Sequence, residues 1–90
     1  MDLNLVSVGY GNFVSSGRVI AVVSPESAPV KRLIQEAKEE RRLIDATFGK
    51  KTKAVLITDS DHIVLTALET AEIQQRFNQP ETLYSEELEE

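Results

Sequence analysis

The chain has no cysteine, a single histidine, and no apolar run near the roughly 18 residues that a membrane-spanning helix needs. Without thiols there is no disulfide framework, thiolate zinc site, iron–sulfur cluster or cysteine nucleophile. The one histidine, His62, has no strained nucleophile turn beside it, so a Ser–His–acid hydrolase has nothing to stand on. The start, Met1-Asp2-Leu3-Asn4, lacks the basic stretch that opens a signal peptide, and a cytoplasmic protein without membrane contact is expected. Ninety residues leave no room for two ordinary domains. With four glycines, three prolines and 41% hydrophobic residues, the composition is that of one folded globular unit.

What charge there is lies unevenly. The formal net charge is −5, which by itself argues against nucleic acid as a partner. Residues 1–76, however, hold all ten Lys and Arg and ten of the fifteen acids, so that part is neutral. Residues 77–90 carry five acids and no base, and residues 78–90 read as an acidic, disordered tail behind a domain at 1–77. From Lys31 to Lys53, eight bases stand against four acids. The middle of the chain is therefore locally basic.

Periodicity predicts a small α+β domain: a β-sheet with a hairpin meander, packed by one main helix and a short C-terminal helix. Residues 3–8 read as a first strand, broken by Gly9-Tyr10-Gly11-Asn12, whose glycines supply the positive φ of a tight reversal. Residues 18–23, mostly β-branched, read as the second strand. Ser27 is a candidate N-cap with Pro29 in the first turn, and Val30, Leu33, Ile34 and Ala37 then recur at helical spacing, predicting a helix to about Arg42. Residues 43–47 and 53–58 are expected to form a hairpin whose tip carries Lys50 and Lys51. Asp59-Ser60-Asp61 turns the chain into a strand at 62–67, and Thr70 is placed as the cap of a helix reaching Phe77.

Three motifs invite chemistry and fail on spacing. Gly9-x-Gly11 has Val14 where a dinucleotide fingerprint needs its third glycine, and a strand follows instead of a helix. Gly49-Lys50-Lys51-Thr52 has one lysine too many for a P-loop, and Ile44 stands where that motif starts with glycine. Asp59, Asp61 and His62 are the one cluster with metal-ligand chemistry, but Asp-Ser-Asp between strands is far more commonly a turn. No cofactor, metal or small-molecule substrate is implied, and an enzyme is not expected. The basic loop is the better lead. Ammonium groups projecting from a sheet reach phosphate oxygens without burying charge, although a triplet of lysines also serves simply as a solvated turn. Arg41 and Arg42 complement the negative end of the helix. Arg18 is either a snorkelling surface residue or an anion contact, and composition does not decide between them.

Four stretches in this order resemble the RemA family of small bacterial regulators of extracellular matrix genes. They are Gly9-Tyr10-Gly11-Asn12, then Ser24-Pro25-x-Ser27-Ala28-Pro29-x-Lys31-Arg32, then residues 45–55 (Asp-Ala-Thr-x-Gly-Lys-Lys-Thr-Lys-Ala-Val), then Asp59-Ser60-x-His62. The resemblance covers about residues 4–76. It implies a mixed fold akin to LytTR DNA-binding domains, assembled as a homo-oligomeric ring whose basic rim engages and wraps double-stranded DNA. It also implies a nucleoid-associated regulator of biofilm genes. The family's basic positions carry over to Arg18, Lys50 and Lys51, with Lys53, Lys31 and Arg32 as neighbouring candidates. Three departures stand out. The family commonly has arginine at 50 and 51, it has glycine where this chain has Arg41, and it has a Pro-Glu-Thr that is lacking at residues 69–72. The alternative of a different class is a protein-interaction or scaffold module whose basic loop docks an acidic partner.

Overall fold

A computed structural model describes residues 4–78, so the expected tail, apart from Asn78, lies outside the described residues. Strands β1 (Leu5–Gly9) and β2 (Asn12–Ser15) form an antiparallel hairpin, with Val6 opposite Val14 and Ser7 opposite Phe13. Alternation sends Val6 and Val8 inward to full burial and leaves Leu5 and Phe13 on the outer face, half exposed. The two-residue turn is Tyr10-Gly11, with φ of +57° and +79°, the signs of a type I′ turn. β2 was not expected from sequence, which ran from the turn directly into a strand at 18–23. Instead the chain doubles back, passes through a 3-10 turn (Ser16–Arg18), and enters β3 (Val19–Val23).

The main sheet has four strands in the order β3-β5-β6-β4, with β4 at Leu43–Asp45, β5 at Ala54–Thr58 and β6 at Ile63–Thr66. β3 and β6 each pair antiparallel with β5, whereas β4 pairs parallel with β6. The expected hairpin between residues 43–47 and 53–58 therefore does not form. All four residues of β6 are buried, so this strand needs a neighbour on each edge. A β4–β5 hairpin would have left one of those edges in water. The 46–53 loop instead crosses the C-terminal end of β6, held by Ala46 N–H to Leu65 C=O at 2.9 Å and Lys53 N–H to Thr66 C=O at 2.9 Å.

Helix α1 (Ala28–Glu39) covers one face of this sheet, where Ala37, Val30 and Ile34 pack with Val55, Ile57, Ile63 and Leu65. The Ser27 hydroxyl accepts from the Val30 N–H at 3.3 Å, as an N-cap should. The helix stops three residues short of the expected Arg42. Arg41 sits at φ +62°, with Arg41 N–H bonding Lys38 C=O and Arg42 N–H bonding Ala37 C=O. These are the two bonds of a Schellman cap, built here on a residue with a Cβ. The opposite face is covered by the β1–β2 hairpin and helix α2 (Thr70–Phe77), which bury Val8 and Ile73 against Ala54, Leu56 and Val64. The cap of α2 is Glu69, not Thr70. The result is a small α+β fold of two sheets and two helices, in which no described helix is long and apolar enough to cross a membrane.

Candidate nucleic-acid interface

The 46–53 loop is built from its ends inward. At its start the Asp45 carboxylate accepts from the Thr47 N–H at 2.9 Å and from the Thr47 hydroxyl at 2.6 Å. The hydroxyl bond first, and the backbone bond second, hold the Asp45 carboxyl below its ordinary value, against a small opposing effect of burial. Thr47 is itself buried, and its carbonyl accepts from the Lys50 N–H at 3.0 Å, closing a turn with Phe48 at φ +56° and Gly49 at φ +79°. At the far end, Lys53 is pinned to β6 through its backbone. Lys50 and Lys51 lie between these anchors, both exposed.

Their electrostatic state separates the six candidate bases. Lys53 Nζ lies 3.8 Å from a Glu69 carboxylate oxygen, and Arg18 Nε lies 2.8 Å and 3.0 Å from the two oxygens of Asp59. Lys50, Lys51, Lys31 and Arg32 make no ion pair among the described residues. Both flanking carboxylates are exposed, so these are weak, salt-sensitive pairs.

Position divides the candidates again. Val23 pairs with Val55, so β3 ends beside the start of β5 and α1 sets out from the end of the sheet that carries the 46–53 loop. A shallow depression there is lined by Glu26, Lys51, Thr52, Lys53 and Glu69. Lys31, in the first turn of α1, and Arg32, which follows it, thus lie toward the end that carries Lys50, Lys51 and Lys53. Arg18 does not. Val19 pairs with Thr58 at the other end of β5, about 15 Å away along a five-residue strand. There Arg18 and Asp59 are joined twice, by the side-chain pair and by Asp59 N–H to Arg18 C=O at 2.8 Å. Both contacts to Asp59 are made by Nε of the guanidinium. The candidate bases therefore fall into two groups at opposite ends of the sheet, with Arg18 paired to Asp59 at one of them.

The turn once considered for a metal has other bonds. Asp59 holds Arg18, the Asp61 carbonyl accepts from Arg42, and His62 Nδ1 is 2.8 Å from Ser60 Oγ. Among the described residues no three His, Cys, Asp or Glu side chains are grouped to hold a metal ion. Sequence reading missed three features of the site: the Asp45 cap on Thr47, Asp59 as the partner of Arg18, and a stack between the rings of Tyr10 and Phe48, with centroids 5.2 Å apart and planes at 17°. Only the last left a signal, an aromatic residue directly before a glycine in each of two turns.

Comparison with known proteins decides the family. The family model described as "Extracellular matrix regulatory protein A-like", RemA-like for short, matches residues 5–77, nearly the whole described fold. The chain belongs to the RemA-like family. Similar RemA-like relatives span almost the same length, and their names are provisional ones for regulatory proteins. One from Moorella thermoacetica is 53% identical over 97% of this chain and 96% of its own. One from Halothermothrix orenii is 56% identical over 87% of this chain and 93% of its own. One from Gloeothece citriformis is 56% identical over 86% of this chain and 88% of its own. The RemA-like assignment makes this a protein of a regulatory family, and it covers the loop carrying Lys50 and Lys51 as well as the Arg18 turn.

Proposed function

We propose that this chain is a DNA-binding transcriptional regulator or architectural protein that acts as a homo-oligomeric ring on double-stranded DNA, controlling extracellular matrix genes from the nucleoid without catalytic chemistry. The observation that carries the reading is the pair of exposed lysines, Lys50 and Lys51, without an ion-pair partner among the described residues and on a loop anchored at both ends. Anchoring matters because a loop whose backbone is already ordered pays little backbone entropy when its lysines meet phosphate oxygens. Lysine acts as a point charge, which suits backbone contact better than base reading, so selectivity comes mainly from DNA shape and deformability.

A single subunit offers few phosphate contacts, and its −5 charge gives no long-range attraction. Linked copies overcome this, since each later contact is intramolecular. The sheet supports such linkage. Its two edge strands each leave an isoleucine in water, Ile20 on β3 at 69% exposure and Ile44 on β4 at 48%. Two different apolar patches on opposite edges are what a head-to-tail contact needs, and a head-to-tail contact that closes makes a ring. Arg18, held by Asp59, then supplies a second phosphate contact per subunit. The test is a light-scattering mass measured beside a titration of random duplex DNA. An oligomer that binds supports the reading. A stable monomer with nanomolar affinity sinks the ring, and an assembly that ignores duplex DNA sinks the partner.

A further inference from the structure

Two turns far apart in sequence are built alike and meet. Tyr10-Gly11 and Phe48-Gly49 each place an aromatic residue at the first central position of a turn with two positive φ angles, +57° and +79° in one, +56° and +79° in the other. That position favours Asn, Asp or Gly, because a Cβ there crowds the backbone. The two rings stack on one another yet stay open to water, Tyr10 at 53% and Phe48 at 75% exposure. A stack so poorly buried returns little to the fold for two strained positions, and strain of this kind gathers where a surface is shaped for contact.

The frame beneath the rings is fixed. Thr66 Oγ1 donates to the Val8 carbonyl at 2.7 Å, tying β6 to the strand that leads into the Tyr10 turn. The Asp45 carboxylate fixes Thr47, which immediately precedes Phe48. Lys50 and Lys51 follow Phe48 within three residues and have no carboxylate partner among the described residues. A dry contact with another protein at Phe48 would have to cover or neutralise those two ammonium groups. A nucleic-acid backbone neutralises them as it brings its bases near the ring.

We propose that the stacked rings of Tyr10 and Phe48 form an apolar wedge that opens a base step of the bound duplex, while Lys50 and Lys51 hold the flanking phosphates. The inference rests on the DNA-binding reading above and adds to it the mode of contact and the kind of site preferred. Phe48 supplies the leading face, and Tyr10 backs it so that the ring cannot fold away. A wedge of this kind favours steps that unstack easily, and favours most a duplex in which stacking is already broken.

The experiment compares two duplexes of about 25 base pairs, one fully matched and one with two central mismatches, against the full-length chain and its Phe48→Asn and Tyr10→Asn variants. Asparagine accepts the left-handed turn, so the backbone is kept. Fluorescence transfer between end labels reports bending, and a light-scattering mass is taken for each protein. The wild type is expected to bind the mismatched duplex about tenfold tighter than the matched one and to bend it more. In Phe48→Asn that preference should fall to about unity, and in Tyr10→Asn most of it should go, with masses and salt dependence unchanged because both lysines remain. A preference that survives in both variants overturns the wedge. A drop in assembly mass on substitution also overturns it and makes the stack a subunit contact. Failure of the wild type to bind either duplex overturns the DNA reading itself, an outcome distinct from binding that is indifferent to the rings.

Discussion

Thr66→Val removes one hydroxyl while keeping nearly the same volume, at a residue with no exposed surface. That hydroxyl donates to the Val8 carbonyl at 2.7 Å and accepts from the Leu68 N–H at 3.1 Å. Val8 is itself only 1% exposed, so its carbonyl cannot turn to water. Each buried polar group left without its partner costs about 1–3 kcal/mol. Leu68 is only partly buried and recovers some of its share, so the substitution should cost about 2–4 kcal/mol in all. For a domain of this size each kcal/mol moves the melting temperature by about 4–8 °C, which places the variant about 8–32 °C below wild type. Thr66→Ser, which keeps both bonds and loses one methyl group, should cost only about 1 kcal/mol. The assay is thermal unfolding of all three proteins at one chain concentration, since any self-association makes melting concentration-dependent. A valine variant melting within a few degrees of wild type, or a serine variant as unstable as the valine, would refute the reasoning and free the β1–β2 hairpin from its tie to the main sheet.

Arg41→Gly should raise stability by about 1 kcal/mol, read as a higher urea midpoint, because glycine relieves the left-handed cap at φ +62°; a lower midpoint would show that the arginine side chain does more than fill the position. Because the Asp45 carboxyl is held below its ordinary value of 3.8 in the fold, the stability it contributes is complete above that value and is lost as pH falls through the lowered one. Wild type should therefore lose more stability than Asp45→Asn as the pH falls below about 4, and parallel acid melts would contradict the Thr47 cap. Removing residues 79–90, which carry five acids and no base, should tighten duplex binding most at low salt, and unchanged affinity across a salt series would leave the tail without a part in binding.

Where a signal is local, the sequence was a good guide. Ser27, Pro29 and the spacing of Val30, Ile34 and Ala37 place α1 and its buried face, and the β-branched runs place β3, β5 and β6. The Gly-rich reversal after β1 was legible too, because only a few residue types enter positive φ freely. Pairing is a different matter, since it depends on residues far apart. Asn12-Phe13-Val14-Ser15 is too short and too polar to announce a strand, and becomes one only because β1 lies beside it. Leu43-Ile44-Asp45 fits a hairpin with β5 as well as a parallel seat beside β6, and the demand of β6 for two neighbours decides between them.

The same division runs through the candidate site. Lys50 and Lys51 stand out as a cluster in the sequence. That Arg18 lies at the other end of the sheet follows from the register of Val19 with Thr58, as does its pairing with Asp59, 41 residues on. That Lys53 faces Glu69 depends on how α2 begins. The ring stack joins turns 38 residues apart, and neither turn alone suggests the other.

Contact of Lys50 and Lys51 with the phosphates of duplex DNA is tested most directly by the salt dependence of binding to a random duplex for wild type and the Lys50→Glu, Lys51→Glu double variant. Both positions are exposed, so the double variant should stay within about 1 kcal/mol of wild type in stability and keep the wild-type mass in solution. Wild type should show log K falling steeply with log salt, by about 0.9 for each phosphate neutralised, and the double variant should lose binding or keep a much shallower slope. Equal affinity and equal slope in the two proteins would contradict the claim.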